Sequence, residues 1–397
     1  MNPWLHVVGI GEDGWTGLSS AARAALEAAE IVIGGNRHHA LAPHLKGKRI
    51  HWPSPFRELV DSIPDYRGRR VAVLVTGDPL WFSAGSLMMQ IVSPDEIVFH
   101  PQLSAFQWAA AHMRWSLADV ETLTVHGRRV ERIAPHIAPG QRLLILTRDG
   151  DSPSEICDLL IRAGCGSSRV SALCALGGRD EQRIDAIAAT WPGKVPDFHT
   201  LAIEVIGDPD ARPPPRWGLP DEVFVHDGKM TKREVRILTL AALAPRQGEL
   251  LWDIGAGCGS VGIEWLRAAR NARAVGLEPL AQRRALAATN AQKLGAPHFD
   301  IRNASAPEGF ADLPDPDAIF IGGGLSVKMI KGCIARLKPF GRLVANAVTL
   351  ESEALLTETH ASYGGDLIRV AVNRAENIGR YRGWRAQMPV TQWILRT

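Results

Sequence analysis

The stretch LLWDIGAGCGSVGIE, Leu250 to Glu264, decides the fold of the C-terminal half of the chain. Apolar residues run into Asp253, a glycine-rich turn follows, and apolar residues then recur at helical spacing as far as Leu266. This pattern predicts a buried strand, a tight loop and a helix. Glycines let the backbone pass close to a ligand, and a helix N-terminus offers unpaired N–H groups to an anion. The stretch therefore predicts a nucleotide-type binding site.

The residues that follow define the kind of nucleotide. A second predicted strand, Ala274 to Leu277, ends in Glu278, about 25 residues after Asp253. An acid at this place accepts hydrogen bonds from both hydroxyls of a ribose. A third predicted strand ends near Ala304, beside the position of an adenine, and a fourth, Ala318 to Ile321, opens into three glycines.

Composition sets the broad class of protein. The chain has 397 residues, 46% hydrophobic and 22% charged, with a net charge of +3. This size predicts two or three soluble domains, and the charge is too small to indicate nucleic-acid binding. Five cysteines without a C-x-x-C pair predict reduced thiols, no metal site and a cytoplasmic location. Neither a leader sequence nor an apolar run of about 18 residues is evident, so secretion and membrane spanning are disfavoured.

The N-terminal half opens on strand Leu5 to Val8 and the sequence GIGEDG, Gly9 to Gly14. The G-x-G-x-x-G pattern raises the alternative of a dinucleotide site. Two expectations disfavour it: the helix does not start at the last glycine, and the next strand, Ile31 to Ile33, ends in glycines where an acid would bind the ribose.

A further apolar strand, Val71 to Val75, ends in the loop Thr76 to Pro79. Such a loop places Gly77 and Asp78 at the carboxyl edge of a parallel sheet, where α/β folds bind ligands, although a plain turn explains these residues equally well. Strands and helices beyond it predict two βα-rich lobes with a ligand cleft between them.

A proline-rich stretch divides the chain. The sequence GDPDARPPPRWGLP, residues 207–220, predicts a semi-rigid linker, and the expected domains are residues 1–207 and 221–397 with the linker over 208–220. The helix after the linker begins with MTKREVR. Either Thr231, Lys232 and Arg233 lie at the mouth of the glycine-rich site, or the helix simply has a solvated basic face.

Five N-terminal motifs occur in order: VVGIGEDG, VTGDPLWFSAG, PQLSAFQWAAA, VHGR and ALGGRDEQRI. Their order resembles the tetrapyrrole methylase superfamily, which methylates porphyrinoid rings with S-adenosylmethionine. The resemblance spans about residues 4–207 and implies a two-lobed fold. It implies cofactor-binding roles for Gly9, Gly77, Asp78 and Ser104. Gln102 departs from the family, which has a small residue in this P-G-x-S loop.

The C-terminal motifs resemble a class I S-adenosylmethionine methyltransferase with a Rossmann-like fold, over about residues 222–397. The resemblance implies a second set of cofactor-binding residues: Thr231, Asp253, Gly255, Ala256, Gly257, Cys258, Gly259, Glu278 and Ala304. Strand four ends in IGGG rather than the Asn- or Asp-Pro-Pro turn that grips an exocyclic amine. This difference favours a carbon acceptor or a flat ligand that needs close backbone approach.

MTKREVR, IFIGGG and VANAVTLES resemble the methyltransferases of cobalamin synthesis that also decarboxylate. The combined resemblance implies methylation of a precorrin-6 type tetrapyrrole at carbons 5 and 15, with loss of the ring-C acetate as carbon dioxide. The N-terminal domain would methylate carbon 5, and the C-terminal domain would act at carbon 15 and decarboxylate. A homo-oligomer is expected, with neither nucleic acid nor membrane as a partner.

The implied substrate carries many carboxylates, so cationic side chains should line its site. Candidates are Arg37, Arg128, Lys232, Arg233, Arg380 and Arg382, of which Lys232, Arg233 and Arg128 are the foremost substrate-facing ones. Solvated surface charge is the alternative for each.

No catalytic acid or base stands out, which agrees with catalysis by positioning. Other hypotheses are an RNA or protein methyltransferase, which would need a basic stripe with aromatics, and a chain in which one half is a degenerate scaffold.

Overall fold

The computed structural model describes residues 3–209 and 215–397. The described residues divide into two compact units, one formed by residues 3–130 and 139–209, the other by residues 131–138 and 215–397. The linker predicted for residues 208–220 falls partly outside the described residues, since 210–214 are not among them.

The strands of the described residues make up three main sheets and a hairpin. The strands are β1 Leu5–Ile10, β2 Ile31–Gly34, β3 Lys48–His51, β4 Val71–Thr76, β5 Ile97–His100, β6 Glu121–Thr124, β7 Arg142–Leu146, β8 Arg169–Cys174, β9 Gln182–Ile187, β10 His199–Glu204, β11 Leu250–Ile254, β12 Arg273–Leu277, β13 Asp300–Arg302, β14 Ala318–Ile321, β15 Arg342–Ala347, β16 Asp366–Val370, β17 Asn373–Ile378, β18 Tyr381–Ala386 and β19 Val390–Arg396.

Helices connect most of these strands. The α-helices are α1 Gly14–Gly17, α2 Ser20–Ala28, α3 Asn36–Leu41, α4 Arg57–Ser62, α5 Gly85–Met88, α6 Ala105–Met113, α7 Ser152–Arg162, α8 Arg233–Leu243, α9 Ser260–Ala268, α10 Ala281–Lys293, α11 Val327–Arg336 and α12 Leu350–Tyr363. The 3-10 helices are Ile63–Tyr66, Pro94–Glu96, Leu117–Asp119, Val130–His136, Ala188–Thr190, Asp221–Val223 and Glu308–Phe310.

The first sheet of the N-terminal unit is entirely parallel, in the order β3-β2-β4-β1-β5. Its inner strands β1 and β4 are apolar along almost their whole length because both faces are covered. Strand β4 lies between β1 and β2, which differs from the 3-2-1 order of a dinucleotide fold. As expected, the helix that follows β1 does not start at the last glycine of GIGEDG, because α2 begins at Ser20 with Ser19 as its N-cap. Residues 14–17 form a separate helical turn that ends where Leu18 becomes extended.

The second sheet of this unit has the order β6-β7-β10-β8-β9. Only β6 and β7 run parallel, and the remaining neighbours are antiparallel. The unit therefore consists of two α/β lobes, which confirms the predicted N-terminal fold class.

The C-terminal unit has one seven-stranded sheet in the order β13-β12-β11-β14-β15-β19-β16. The first five strands are parallel, and β19 runs antiparallel between β15 and β16. Trp252, Trp265 and Trp393 are fully buried in its core. This parallel sheet between helices confirms the predicted Rossmann-like fold, and β17 and β18 form a separate hairpin.

Residues 215–220 are bound to helix α9 within this unit. The carboxylate of Glu264 accepts hydrogen bonds from the backbone of Gly218, at 2.5 Å, and of Leu219, at 3.1 Å. The guanidinium of Arg267 donates to the carbonyls of Pro215, at 3.0 Å, and Arg216, at 2.9 Å. Both charged side chains are buried, so the end of the predicted linker is part of the folded unit.

Candidate functional site

A cavity of about 900 Å³ opens at the carboxyl ends of β11, β12 and β14. It brings together most of the residues predicted to bind the cofactor in this half: Thr231, Asp253, Gly255, Ala256, Gly257, Cys258, Glu278 and Ala304. Lys232 also lines it, whereas Gly259 and Arg233 are not among the described residues of its wall.

The glycine loop takes a backbone shape that few other residues adopt. Gly255 and Gly257 have φ values of +71° and +58°. The N–H of Gly257 donates to Oε2 of Glu278 at 3.0 Å, and the N–H of Leu280 donates to Oε1 at 2.9 Å. Each carboxylate oxygen thus keeps lone pairs that can accept further hydrogen bonds from a ligand in the cavity.

Two glycines allow helix α9 to pack closely. A Cβ on Gly259 would lie 3.1 Å from Phe299 and 3.2 Å from Ala287, so this residue serves packing rather than the cavity wall. Gly262, one turn further along, was missed by the sequence analysis. A Cβ there would overlap Phe299 and lie 2.9 Å from Oδ2 of Asp253. The need for a glycine at position 262 becomes apparent only in the folded structure, where Phe299 packs against this turn of the helix.

Asp253 carries an unusual carboxyl group. The side chain is 1% exposed, and its Oδ2 accepts a hydrogen bond from the N–H of Gly262 at 2.9 Å. Its Oδ1 is buried and has no hydrogen-bond partner among the described residues. Burial raises the pKa of Asp253 to about 7. The hydrogen bond from the N–H of Gly262 lowers this pKa, whereas the nearby carboxylate of Glu278 raises it.

This raised pKa predicts a pH dependence of stability. An aspartate in the unfolded chain titrates near 3.8, so the folded protein keeps a proton that the unfolded chain releases. The free energy of unfolding should therefore fall as pH rises from about 4 to about 7, by about 4 kcal/mol in all. Urea unfolding at pH 5 and pH 8 tests this. Asp253→Asn should lose less stability over that range than the native chain, and equal losses would contradict the assignment.

Arg236, a residue of α8, fixes the loop that precedes this helix. This guanidinium is fully buried and donates from Nη1 to the carbonyl of Thr231 and from Nε to Oε1 of Glu264, both at 2.6 Å. The alternative of a purely solvated basic face is wrong for Arg236, because two buried carboxylates, Glu264 and Asp221, neutralise it. Arg233 donates from Nε to the carbonyl of Gly218 at 2.9 Å.

The predicted N-terminal residues also meet in space. A Cβ on Gly9 would overlap the carbonyl oxygen of Gly77, and a Cβ on Gly77 would lie 2.8 Å from Cα of Ser104. Asp78 accepts a hydrogen bond from the N–H of Leu80 at 2.7 Å, which shapes the loop after β4. Ser104 is buried, and its Oγ accepts from the N–H of Phe106 at 3.2 Å as the N-cap of α6. Gly9 and Ser104 therefore contribute to backbone packing.

The departure at Gln102 has a structural role. Its Nε2 donates to the carbonyl of Gly17 at 2.7 Å, and its Oε1 accepts from the N–H of Leu103 at 3.1 Å. Gln102 thus links the loop before α6 to the end of α1, a contact that a glycine in this position could not make.

Cationic and aromatic side chains lie near these loops. Arg37 forms an ion pair with Glu12, and its guanidinium lies 4.0 Å from the ring centroid of Phe198. Arg128 is exposed and lies 5.9 Å from the ring centroid of Phe82. Both arginines remain predicted carboxylate anchors.

His38 sits next to this group and stays neutral. Its Nδ1 accepts a hydrogen bond from the N–H of Gly35 at 3.2 Å, so its Nε2 carries the hydrogen that points to Oγ1 of Thr76 at 2.9 Å. Burial, with Arg37 beside it, lowers the pKa of His38 to about 4. The ring is therefore a hydrogen-bonding element and not a free base.

Among residues 3–209 and 215–397, no three His, Cys, Asp or Glu side chains are grouped as ligands for a metal ion. Within the same residues, no helix is long and apolar enough to cross a membrane. All five cysteines are free and buried.

Comparison with known proteins agrees with this architecture. Residues 4–189 match the family of tetrapyrrole (corrin/porphyrin) methylases, and residues 222–397 match the precorrin methyltransferase domain. A precorrin-6Y C(5,15)-methyltransferase [decarboxylating] from Sinorhizobium sp. is 45% identical over 99% of this chain and 96% of its own length.

Shorter relatives match parts of the chain. A protein from Pyrobaculum calidifontis named "Probable cobalt-precorrin-6B C(15)-methyltransferase (decarboxylating)" is 36% identical over 44% of this chain and 92% of its own. The cobalt-precorrin-7 C(5)-methyltransferase of Salmonella typhimurium is 29% identical over 41% of this chain and 80% of its own.

The fold, the cavity and these matches define an S-adenosylmethionine-dependent methyltransferase with two methyltransferase domains in one chain. More narrowly, the chain belongs to the family of precorrin-6Y C(5,15)-methyltransferases (decarboxylating).

Proposed function

We propose that this protein methylates a precorrin-6 type tetrapyrrole at carbons 5 and 15 and removes its ring-C acetate as carbon dioxide, as a step of corrin ring synthesis. The N-terminal domain, residues 1–207, acts at carbon 5, and the C-terminal domain, residues 221–397, acts at carbon 15 and decarboxylates. Support comes from the full-length relative, whose name combines both methylations with decarboxylation.

The observation that carries the C-terminal assignment is the cavity beside the glycine loop. S-adenosylmethionine supplies an electrophilic methyl group when it is bound. Glu278 has free lone pairs for ribose hydroxyls, and the unpartnered Oδ1 of Asp253 can accept a hydrogen bond from an ammonium group. Gly257, where an added Cβ would meet nothing nearer than 3.8 Å, leaves space for the part of the cofactor between its ribose and its ammonium group, and Gly255 allows close approach of the backbone of Gly323. The residues of the cavity thus fit this cofactor.

The chemistry required of the protein is mainly positioning. Methyl transfer to a nucleophilic ring carbon needs alignment with the sulfonium and exclusion of water rather than a strong base. In the cavity wall, Thr231 and Lys232 lie on a loop that the buried Arg236 holds through the carbonyl of Thr231. The role proposed for Lys232 in this domain, and for Arg128 in the N-terminal domain, is to bind a substrate carboxylate.

We further propose a cytoplasmic homo-oligomer that binds a polycarboxylate precorrin. The five buried, free cysteines support a reducing compartment. Large apolar residues exposed on and beside the β17–β18 hairpin support an oligomer, because such patches mark interaction surfaces. They are Ile378, Tyr381, Trp384 and Met388.

Mass spectrometry of a precorrin-6 type substrate after incubation with the protein and S-adenosylmethionine tests the proposal. Two methyl additions with loss of carbon dioxide are expected. A single methyl addition, or no loss of carbon dioxide, would refute the bifunctional assignment.

A further inference from the structure

Three polar side chains form a hydrogen-bonded group in the wall of the C-terminal cavity. Asn346 on β15 and Gln392 on β19 are partners in the antiparallel ladder, and Thr239 of α8 packs against them. Nε2 of Gln392 donates to Oγ1 of Thr239 at 3.0 Å and to Oδ1 of Asn346 at 2.9 Å. Nδ2 of Asn346 donates to the same hydroxyl of Thr239 at 3.1 Å.

The three hydrogen-bonded side chains fix the orientation of the Asn346 amide. Thr239 and Gln392 are fully buried, and of the three side chains only Asn346 lines the cavity. Both hydrogens of the Gln392 amide are used, so its two partners are held in one arrangement. Nδ2 of Asn346 uses one of its two hydrogens within the described part of the chain, which leaves one N–H for a ligand.

This arrangement has a cost. Oε1 of Gln392 is buried and has no hydrogen-bond partner among the described residues. A buried acceptor without a partner costs about 1–3 kcal/mol. A buried acceptor without a partner calls for an explanation. Here the explanation is that Gln392 uses its Nε2 to hold the Asn346 amide in one orientation at the cavity wall.

The wall around Asn346 is apolar. Val370 of β16 and Val390 of β19 are ladder partners, two residues from the row that contains Gln392, and therefore share its face of the sheet. Both valines line the cavity together with Val348 and Val372. The cationic residues of the cavity wall come from other elements: Lys229 and Lys232 from the loop before α8, and Arg283 from α10.

We infer that Asn346 binds the acetate carboxylate of the substrate that leaves as carbon dioxide, an inference that rests on the proposed function. In this step the bond between the acetate CH₂ and the carboxylate carbon breaks, and its electron pair moves into the conjugated macrocycle. Carbon dioxide departs, and the CH₂ carbon then takes a proton from water to become a methyl group.

A neutral amide in an apolar wall suits this step better than a cation does. The carboxylate is fully charged in the ground state, whereas in the transition state its charge is passing into the ring. A cation would stabilise the ground state more and raise the barrier, since only interactions that favour the transition state accelerate a reaction. One N–H of Asn346 orients the carboxylate, and the apolar side chains of Val370 and Val390 on the same face of the sheet offer it no competing hydrogen bonds.

Asn346→Leu tests the inference, because it removes the N–H and keeps a side chain of similar size. Methylation and loss of carbon dioxide are counted separately by mass spectrometry in the full-length protein. The variant should keep both methylations within about threefold and decarboxylate about 100-fold more slowly, because the acetate is no longer held in the orientation that the reaction needs. A methylated product that retains its acetate should accumulate. Thr239→Val removes the hydroxyl that holds the Asn346 amide and leaves the cavity wall unchanged. This variant should also slow decarboxylation, but by a smaller factor.

Asn346→Asp adds a charge that repels the acetate and should block decarboxylation at least as strongly. Asn271→Asp, an equal charge change at an exposed loop residue, is the matched control and should leave the product unchanged. The inference would be overturned if Asn346→Leu lost methylation at carbon 15 and decarboxylation equally, or if it lost neither. The native protein in the same assay tests the proposed function separately, since its failure to decarboxylate would refute that function.

Discussion

Gly257→Val should abolish binding of S-adenosylmethionine to the C-terminal domain and, with it, methylation at carbon 15 and decarboxylation. Gly257 lines the cavity with a φ of +58°. A residue with a Cβ loses about 1–2 kcal/mol in this conformation, and a β-branched one is a clear outlier there. The Cβ of valine would lie 3.8 Å from the carbonyl oxygen of Lys229, and its two methyl groups would take up space at the cavity wall that Gly257 leaves open.

The expected product carries one new methyl group, at carbon 5, and keeps its acetate. Isothermal titration should show one cofactor site fewer per chain than in the native protein. Gly248→Val is the matched control, because Gly248 has a φ of +79° but nothing within 4 Å of the added Cβ. It imposes similar backbone strain outside the cavity and should keep both activities. Normal decarboxylation by Gly257→Val would remove the glycine loop from the mechanism.

Gly9→Ala should have the complementary effect and abolish methylation at carbon 5 alone. Its single added carbon would overlap the carbonyl oxygen of Gly77 and lie 3.0 Å from Cβ of Gln102. Backbone atoms cannot yield as the end of a flexible side chain can, so β1 and the loop after β4 must separate. That movement displaces Asp78 and the proposed N-terminal cofactor site.

The product of Gly9→Ala should retain methylation at carbon 15 and the loss of carbon dioxide, provided that the assay supplies a substrate already methylated at carbon 5. Mass spectrometry again distinguishes the steps. Gly166→Ala is the control in the same unit, since its Cβ would make only ordinary contacts of 3.6 Å or more. Methylation at carbon 5 by Gly9→Ala at the native rate would contradict the assignment of this site.

Local patterns were enough to predict the strand, loop and helix around Asp253 and the acid at Glu278. Each of these features depends on residues close together in the chain, where apolar runs and glycines are directly informative. The N-terminal glycine pattern shows the limit of this approach. GIGEDG matches a dinucleotide motif letter by letter, but the insertion of β4 beside β1 gives a different sheet.

Long-range partners explain what the sequence could not predict. Arg236 looks like a surface cation until Glu264, 28 residues away, is seen to be buried against it. Thr239 and Gln392 are 153 residues apart and carry no motif. Gly259 looked like a cofactor residue because it shares the spacing of Gly255, yet Phe299 occupies the space beside it. Burial and packing of this kind depend on the whole fold.

The attachment of residues 215–220 to helix α9 determines where the C-terminal half can be cut. The domain match begins at residue 222, but a shortened chain starting there would lose the backbone groups that bind Glu264 and Arg267. Two buried charges would lose partners, and exposing or neutralising them is costly. A fragment for separate expression should therefore begin before Pro215, several residues upstream of the boundary that similarity alone suggests.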